Sequence, residues 1–152
     1  MLKVLVNRMT GKEKVYEVEN RQHTNQALVD NFVDPALDEG FTANHWYSSH
    51  LFASYGTAIG YRFCNILLVT DEKYSRTTSA IQNKLERAFA TTETNFKGQL
   101  FPHKVYKVPQ GIINHFAFDD YEFLEVYDFL VDCVKDGKNE LDFSDYKYIL
   151  SL

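Results

Sequence analysis

The chain has 152 residues, 16 Lys plus Arg against 21 Asp plus Glu, and a formal charge of −5. Hydrophobic residues make up 45% and charged ones 24%, while 15% aromatics beside 3 Pro and 7 Gly exclude a low-complexity or disordered chain. No stretch reaches the roughly 18 apolar residues of a membrane-crossing helix, and at about 100–200 residues per domain the length predicts one domain, residues 1–152.

Taken in chain order, residues 2–6 and 14–18 predict a β-hairpin, since Val4, Val6, Val15, Tyr16 and Val18 are β-prone and Gly11 suits the turn. Leu28, Val29, Phe32 and Val33 recur at helical spacing, so a helix is expected from about Thr24 to Val33, stopped by Pro35. Residues 37–45 read as polar loop. Trp46–Tyr55 and Ala58–Phe63 then predict strands broken at Gly56-Thr57, and the apolar run Ile66–Val69 predicts a strand buried on both faces. Ile81, Leu85, Ala88 and Phe89 mark one face of a helix over 75–90, with Thr77 or Thr78 as N-cap. A loop containing Gly98 leads to a strand at 105–108, ended by Pro109 and Gly111. A second main helix is expected from about Phe118 to Val134, with Phe123, Val126, Tyr127, Leu130, Val131 and Val134 on one side, and Ser144–Leu150 adds a short final element. The fold class expected is α+β: one antiparallel sheet covered by two main helices.

The apolar run at the N-terminus is broken by Asn7 and Arg8, shorter than the about 7–15 residues of a signal sequence. Cys64 and Cys133 are the only cysteines, each in an apolar segment, which fits two buried thiols in a reducing compartment. A cytoplasmic protein is therefore expected.

Charge is unevenly placed. Residues 117–152 hold ten acids against three bases, a balance of −7, whereas the rest of the chain stands at +2. Glu122, Glu125, Asp128, Asp132 and Asp136 share the polar side of the expected second helix, with Phe129 among them. A solvated amphipathic face accounts for this pattern. A partner surface accounts for it too, because a ridge of carboxylates is drawn to the basic grooves that hold nucleic acid, and an aromatic inside a charged rim resembles an interface anchor. On that second reading Glu122, Glu125, Asp128, Phe129 and Asp132 contact the partner.

Most catalytic and metal patterns are missing. The five histidines lack ligand spacing, neither Cys-x-x-Cys nor His-Glu-x-x-His occurs, and no metal or other cofactor is expected. No Gly-x-Ser-x-Gly elbow is present, and Gly56-Thr-Ala-Ile-Gly60 lacks the third glycine of a dinucleotide fingerprint and the lysine of a P-loop. Sequence alone assembles no nucleophile, base and oxyanion donors, so a non-enzymatic protein is expected. The best small-ligand candidate is the helix start at Tyr74–Ser79, where Arg76, Thr77, Thr78, Ser79 and Gln82 would meet a nucleotide or nucleic-acid phosphate. Plain helix capping explains the same hydroxyls.

Ser54-Tyr-Gly-Thr-Ala-Ile-Gly60 followed by Tyr74-Ser-Arg-Thr-Thr-Ser-Ala-Ile-Gln-Asn83 resembles a family of small proteins encoded by phages and conjugative elements of Firmicutes. The matching positions are Ser54, Tyr55, Thr57, Tyr74, Ser75, Thr77, Thr78, Ser79, Gln82 and Asn83, within about residues 41–90. Gly60 stands where Ala is commoner and Ala80 where the family often has His. The resemblance implies an accessory protein of a mobile element, acting in a bacterial host. Small proteins of that origin often inhibit host defence, RNA-guided nucleases included. The expected partner is then a host protein with a basic nucleic-acid-binding surface, and the aromatic richness equally suits a homodimer interface.

Overall fold

Ile66–Thr70 (β7) is buried at every residue, as a strand with apolar side chains on both faces must be. In the computed structural model, which describes residues 1–34, 37–63 and 65–118, it belongs to a six-stranded sheet. The other members are β3 (Glu39–Phe41), β4 (His45–Ser48), β5 (Leu51–Ser54), β6 (Thr57–Phe63) and β10 (Lys104–Val108), in the order β10-β7-β6-β5-β4-β3. β3 to β7 run as an antiparallel meander. β10 joins β7 in parallel, with Lys104 beside Ile66 and Val108 beside Thr70. A parallel neighbour needs a long crossover. It is supplied by α2 (Arg76–Ala90) and the small hairpin β8 (Glu93–Phe96) and β9 (Gln99–Pro102).

Both faces of the sheet are covered. Leu67 and Val69 of β7, Tyr47, Phe52 and Ile59 face α1 (Asn25–Val33) and α2, packing with Leu28, Phe32, Ile81, Leu85 and Phe89. Ile66, Leu68, Trp46, Leu51 and Ala58 face the opposite way, against Ile112, Ile113 and Phe116 of α3 (Gln110–Phe118). That second layer also takes Leu5 and Val18 from the N-terminal hairpin, β1 (Leu2–Val6) paired with β2 (Glu13–Glu17). Arg62 ties the layers together: its guanidinium donates to the carbonyls of Phe32 (2.8 Å) and Val33 (3.2 Å), where the α1 dipole ends negative.

The α+β class and the hairpin, α1, β7 and α2 agree with the sequence pattern, and other expectations need correction. The six-stranded sheet is mixed rather than antiparallel, and helices cover both of its faces. The stretch read as one strand, 46–55, folds back at Ser49, whose φ of 54° makes a turn without glycine. Residues 93–102, read as loop, form a hairpin turning on Lys97 and Gly98, both left-handed. α3 escapes the pattern because nearly every residue from Gln110 to Ala117 is buried, leaving no polar face to reveal a period. Glu39–Phe41 is a short edge strand inside the stretch read as loop. The expected helix at 118–134 and the final element at 144–150 lie beyond Phe118, outside the described residues.

α2 packs tightly over Gly60: a Cβ there would meet Leu85 Cδ2 at 2.9 Å. Gly60→Ala is expected to destabilise the fold by about 1 kcal/mol or more through overpacking. Combining it with Leu85→Val should recover part of that loss, measured as non-additivity in urea midpoints.

Candidate functional site

Three separate stretches of chain meet where α2 begins. β5 and β6 are joined by Tyr55-Gly56, both left-handed (φ 49° and 77°), the geometry of a tight two-residue hairpin turn. Ser54 and Thr57 are the last cross-strand pair before that turn. The loop after β7 brings Tyr74 and then Ser75, whose extended backbone and side-chain oxygen cap α2 by accepting from Thr78 N–H at 3.2 Å. The cap is thus Ser75, one turn earlier than Thr78. Arg8 arrives from the β1–β2 turn. Together Arg8, Ser54, Tyr55, Thr57, Tyr74, Ser75, Thr77 and Thr78 line a cavity of about 410 Å³.

Behind the cavity wall runs a chain of polar side chains. Ser75 Oγ donates to Thr78 Oγ1 (3.2 Å), Thr78 Oγ1 lies 3.0 Å from Ser54 Oγ, and Ser54 Oγ lies 2.9 Å from His45 Nδ1. Two arrangements complete these links: Ser54 donates to Thr78 and accepts from Nδ1–H, or Thr78 donates to Ser54 and Ser54 to Nδ1. In the second the imidazole proton is on Nε2, which has no hydrogen-bond partner. His45, Ser54 and Thr78 are 1%, 1% and 3% exposed. Burial, and then the nearby Lys84 charge, push the His45 pKa down to about 4, so the ring is neutral at pH 7.

A second network holds the rim. Tyr74 Oη donates to Gln110 Oε1 (2.9 Å), and Gln110 Nε2 donates to Ala58 O (2.7 Å) and Asn114 Oδ1 (3.0 Å). Asn114 Nδ2 reaches Asn7 Oδ1 at 3.3 Å, which also accepts from Met9 N–H at 3.0 Å. Asn7 is buried, so this hub fixes the turn that carries Arg8, and Val6 N–H to Gly56 O (2.7 Å) locks that turn onto the β5–β6 hairpin. Arg8 Nε in turn donates to Thr57 Oγ1 at 3.3 Å. Burial, followed by Glu72, raises the Tyr74 pKa and keeps its phenol protonated, with Arg8 opposing.

The lining contains one guanidinium, five Ser and Thr hydroxyls and no carboxylate. Arg8 forms no ion pair among the described residues, and the N–H groups of Arg76 and Thr77 meet no protein acceptor there, as the first turn of a helix leaves them. Such a lining favours an anion. No group of three His, Cys, Asp or Glu side chains able to hold a metal occurs among the described residues.

Of the ligand residues expected from sequence, Thr77 and Thr78 line the cavity. Arg76 is exposed outside it, while Ser79 and Gln82 border a separate recess of about 280 Å³ with Thr70 to Lys73. Sequence reasoning missed Arg8 and His45. In the sequence Arg8 only ends an apolar run, and His45 is one of five histidines without ligand spacing. Ser54, Tyr55, Thr57, Tyr74 and Ser75, by contrast, all belong to the two short motifs singled out in the sequence. The partner-binding set Glu122, Glu125, Asp128, Phe129 and Asp132 lies outside the described residues. No family model, curated protein or solved structure matches the chain. No helix among the described residues is long and apolar enough to cross a membrane.

His45 makes stability pH-dependent with a defined sign. The unfolded chain protonates this histidine near 6.5 and the folded protein only at about 4, so stability is full above pH 7 and falls as pH drops through that window. The loss reaches about 3 kcal/mol for such a shift. His45→Gln should reduce the fall of the urea midpoint between pH 6.5 and 4, to which His50 and His103, also lowered by burial, contribute with the same sign; an unchanged pH slope would show that His45 is not among the groups responsible.

Proposed function

We propose that the chain is a binding module for a phosphate-bearing ligand, a nucleotide or a nucleic-acid phosphate, seated in the cavity where α2 begins. The observation that carries this reading is a lining that gathers Arg8 with five hydroxyls and no carboxylate in a chain of net charge −5. A cavity of about 410 Å³ falls in the size range of small-ligand sites, roughly 300–1,000 Å³. Arg8 and the Thr77 amide supply positive potential for the phosphate. Tyr55 supplies an aromatic face at the rim, 48% exposed, on which a base can stack. Asparagine is the ordinary residue at the first position of this turn, so the turn geometry itself does not call for a tyrosine.

A second reading is supported by the −7 balance of residues 117–152. On it the chain is a non-enzymatic accessory protein of a mobile element that inhibits a host defence nuclease, as anti-CRISPR proteins do. Glu122, Glu125, Asp128, Phe129 and Asp132 would occupy the nuclease's basic nucleic-acid surface. The two readings use different residues, and one protein can satisfy both.

Thermal unfolding tests the first. Inorganic phosphate, adenosine monophosphate and a short oligonucleotide at millimolar concentration should each be tried, and a ligand at 100 times its Kd stabilises the native state by about 2.7 kcal/mol. Arg8→Ala should weaken the binding about tenfold or more, the worth of a charge-assisted hydrogen bond. No midpoint shift with any of the three ligands overturns the reading. For the second, nuclease inhibition should be salt-sensitive and abolished by combined Glu125→Lys and Asp132→Lys; inhibition that survives the double reversal rejects it.

A further inference from the structure

A serine hydroxyl that borders a cavity and contacts a neutral imidazole has a chemical capacity that ligand binding does not use. Ser54 lines the 410 Å³ cavity, and its Oγ lies 2.9 Å from His45 Nδ1, across the register pair that joins β4 to β5. We propose that Ser54 is a nucleophile and His45 its general base, so that the cavity catalyses acyl transfer from esters bearing an anionic group. This goes beyond binding, and it rests on the anion-site reading only for the group that Arg8 holds.

The hydroxyl chain argues for the pair. With the imidazole proton on Nε2, Thr78 donates to Ser54 and the Ser54 proton goes to Nδ1, the arrangement a Ser54 nucleophile requires. Thr78 acts through Ser54, as a positioning residue. Both His45 and Ser54 sit on strands, so neither depends on loop order for its geometry. The ring is neutral at pH 7, the state a proton acceptor requires. Its Nε2 is buried without a hydrogen-bond partner, a cost to folding of the kind that calls for a functional explanation.

In the forward step Ser54 Oγ bonds to the ester carbonyl carbon while its proton passes to His45 Nδ1. With Arg8 holding the substrate's anionic group, Thr77, which lines the cavity at the first turn of α2, is the proposed donor for the charge that develops on the carbonyl oxygen. The carbon–oxygen bond to the leaving group breaks, and the imidazolium returns the proton to the departing alkoxide. Water then attacks the acyl group, giving its proton to His45 Nδ1. The bond to Ser54 Oγ breaks, and Oγ recovers that proton. The balance is ester plus water to acid plus alcohol.

A fluorophosphonate probe reads the first half of this cycle on the full-length chain. Ser54 Oγ bonds to phosphorus, the phosphorus–fluorine bond breaks, fluoride leaves, and the proton goes to His45. The expected result is a single adduct mapped to Ser54 by peptide mass spectrometry, slowed by millimolar inorganic phosphate. Ser54→Ala should abolish it. His45→Gln should slow it by about 100-fold or more, the usual worth of a general base. Thr78→Val provides a second variant should His45→Gln fail to fold, and it should slow labelling by a smaller factor without moving the adduct. Absence of an adduct on Ser54, or labelling at unchanged rate in folded His45→Gln, overturns the proposal. If phosphate still raises the melting midpoint while Ser54 stays unlabelled, catalysis is rejected and the binding reading stands.

Discussion

The first turn of α2 reaches the sheet through hydroxyls instead of methyl groups, and the rest of the site follows from that substitution. Thr78 and Ser54 are both buried at the contact, so neither hydroxyl can be left to water. They satisfy one another at 3.0 Å and pass the requirement outward, to Ser75 at the surface and to His45 inside. An alanine or valine pair would pack as well, and it would leave neither a polar wall to the cavity nor a partner for the imidazole. Further along α2, Ile81, Leu85 and Phe89 supply the apolar contact that holds the helix down. Gly60 permits the close approach at Leu85. The helix is thus anchored at one end by hydrogen bonds and along its length by packing.

Much of this architecture is legible in the sequence wherever a period survives. β7 shows as an unbroken apolar run, α2 as a repeat at Ile81, Leu85 and Phe89, and α1 as Leu28, Val29, Phe32 and Val33 behind a capping Thr24. Legibility fails where the signal is geometric. The turn at Ser49 and the one at Lys97-Gly98 depend on left-handed residues that composition does not announce. α3 is buried all round, and a helix without a polar face carries no amphipathic repeat. The parallel pairing of β10 with β7 is set by packing across 38 residues of register offset between Ile66 and Lys104, and no local pattern encodes it.

The candidate site divides in the same way. Ser54, Tyr55, Thr57, Tyr74, Ser75, Thr77 and Thr78 stand in two short motifs visible to the eye, and the fold brings both motifs to one cavity. Arg8 and His45 were not legible as members, because each is joined to the site by tertiary contacts: Arg8 through Thr57, 49 residues on, and His45 through a cross-strand neighbour. The helix start predicted an anion site with Arg76 as its cation. The fold leaves Arg76 exposed outside the cavity and brings Arg8 to it from the β1–β2 turn.

The Asn7–Asn114 contact joins residues 107 apart, and through Gln110 it reaches Tyr74 as well. The rim of the cavity therefore belongs to the last part of the described chain to be synthesised. On the ribosome, β1 to β7 and α2 precede α3, and its docking against the sheet completes the network that joins the Arg8 turn to Tyr74. Loop closure of that span is slow relative to local pairing. Completion of the cavity rim is then a late event in the life of the nascent polypeptide, reached after most of its hydrophobic core has already condensed.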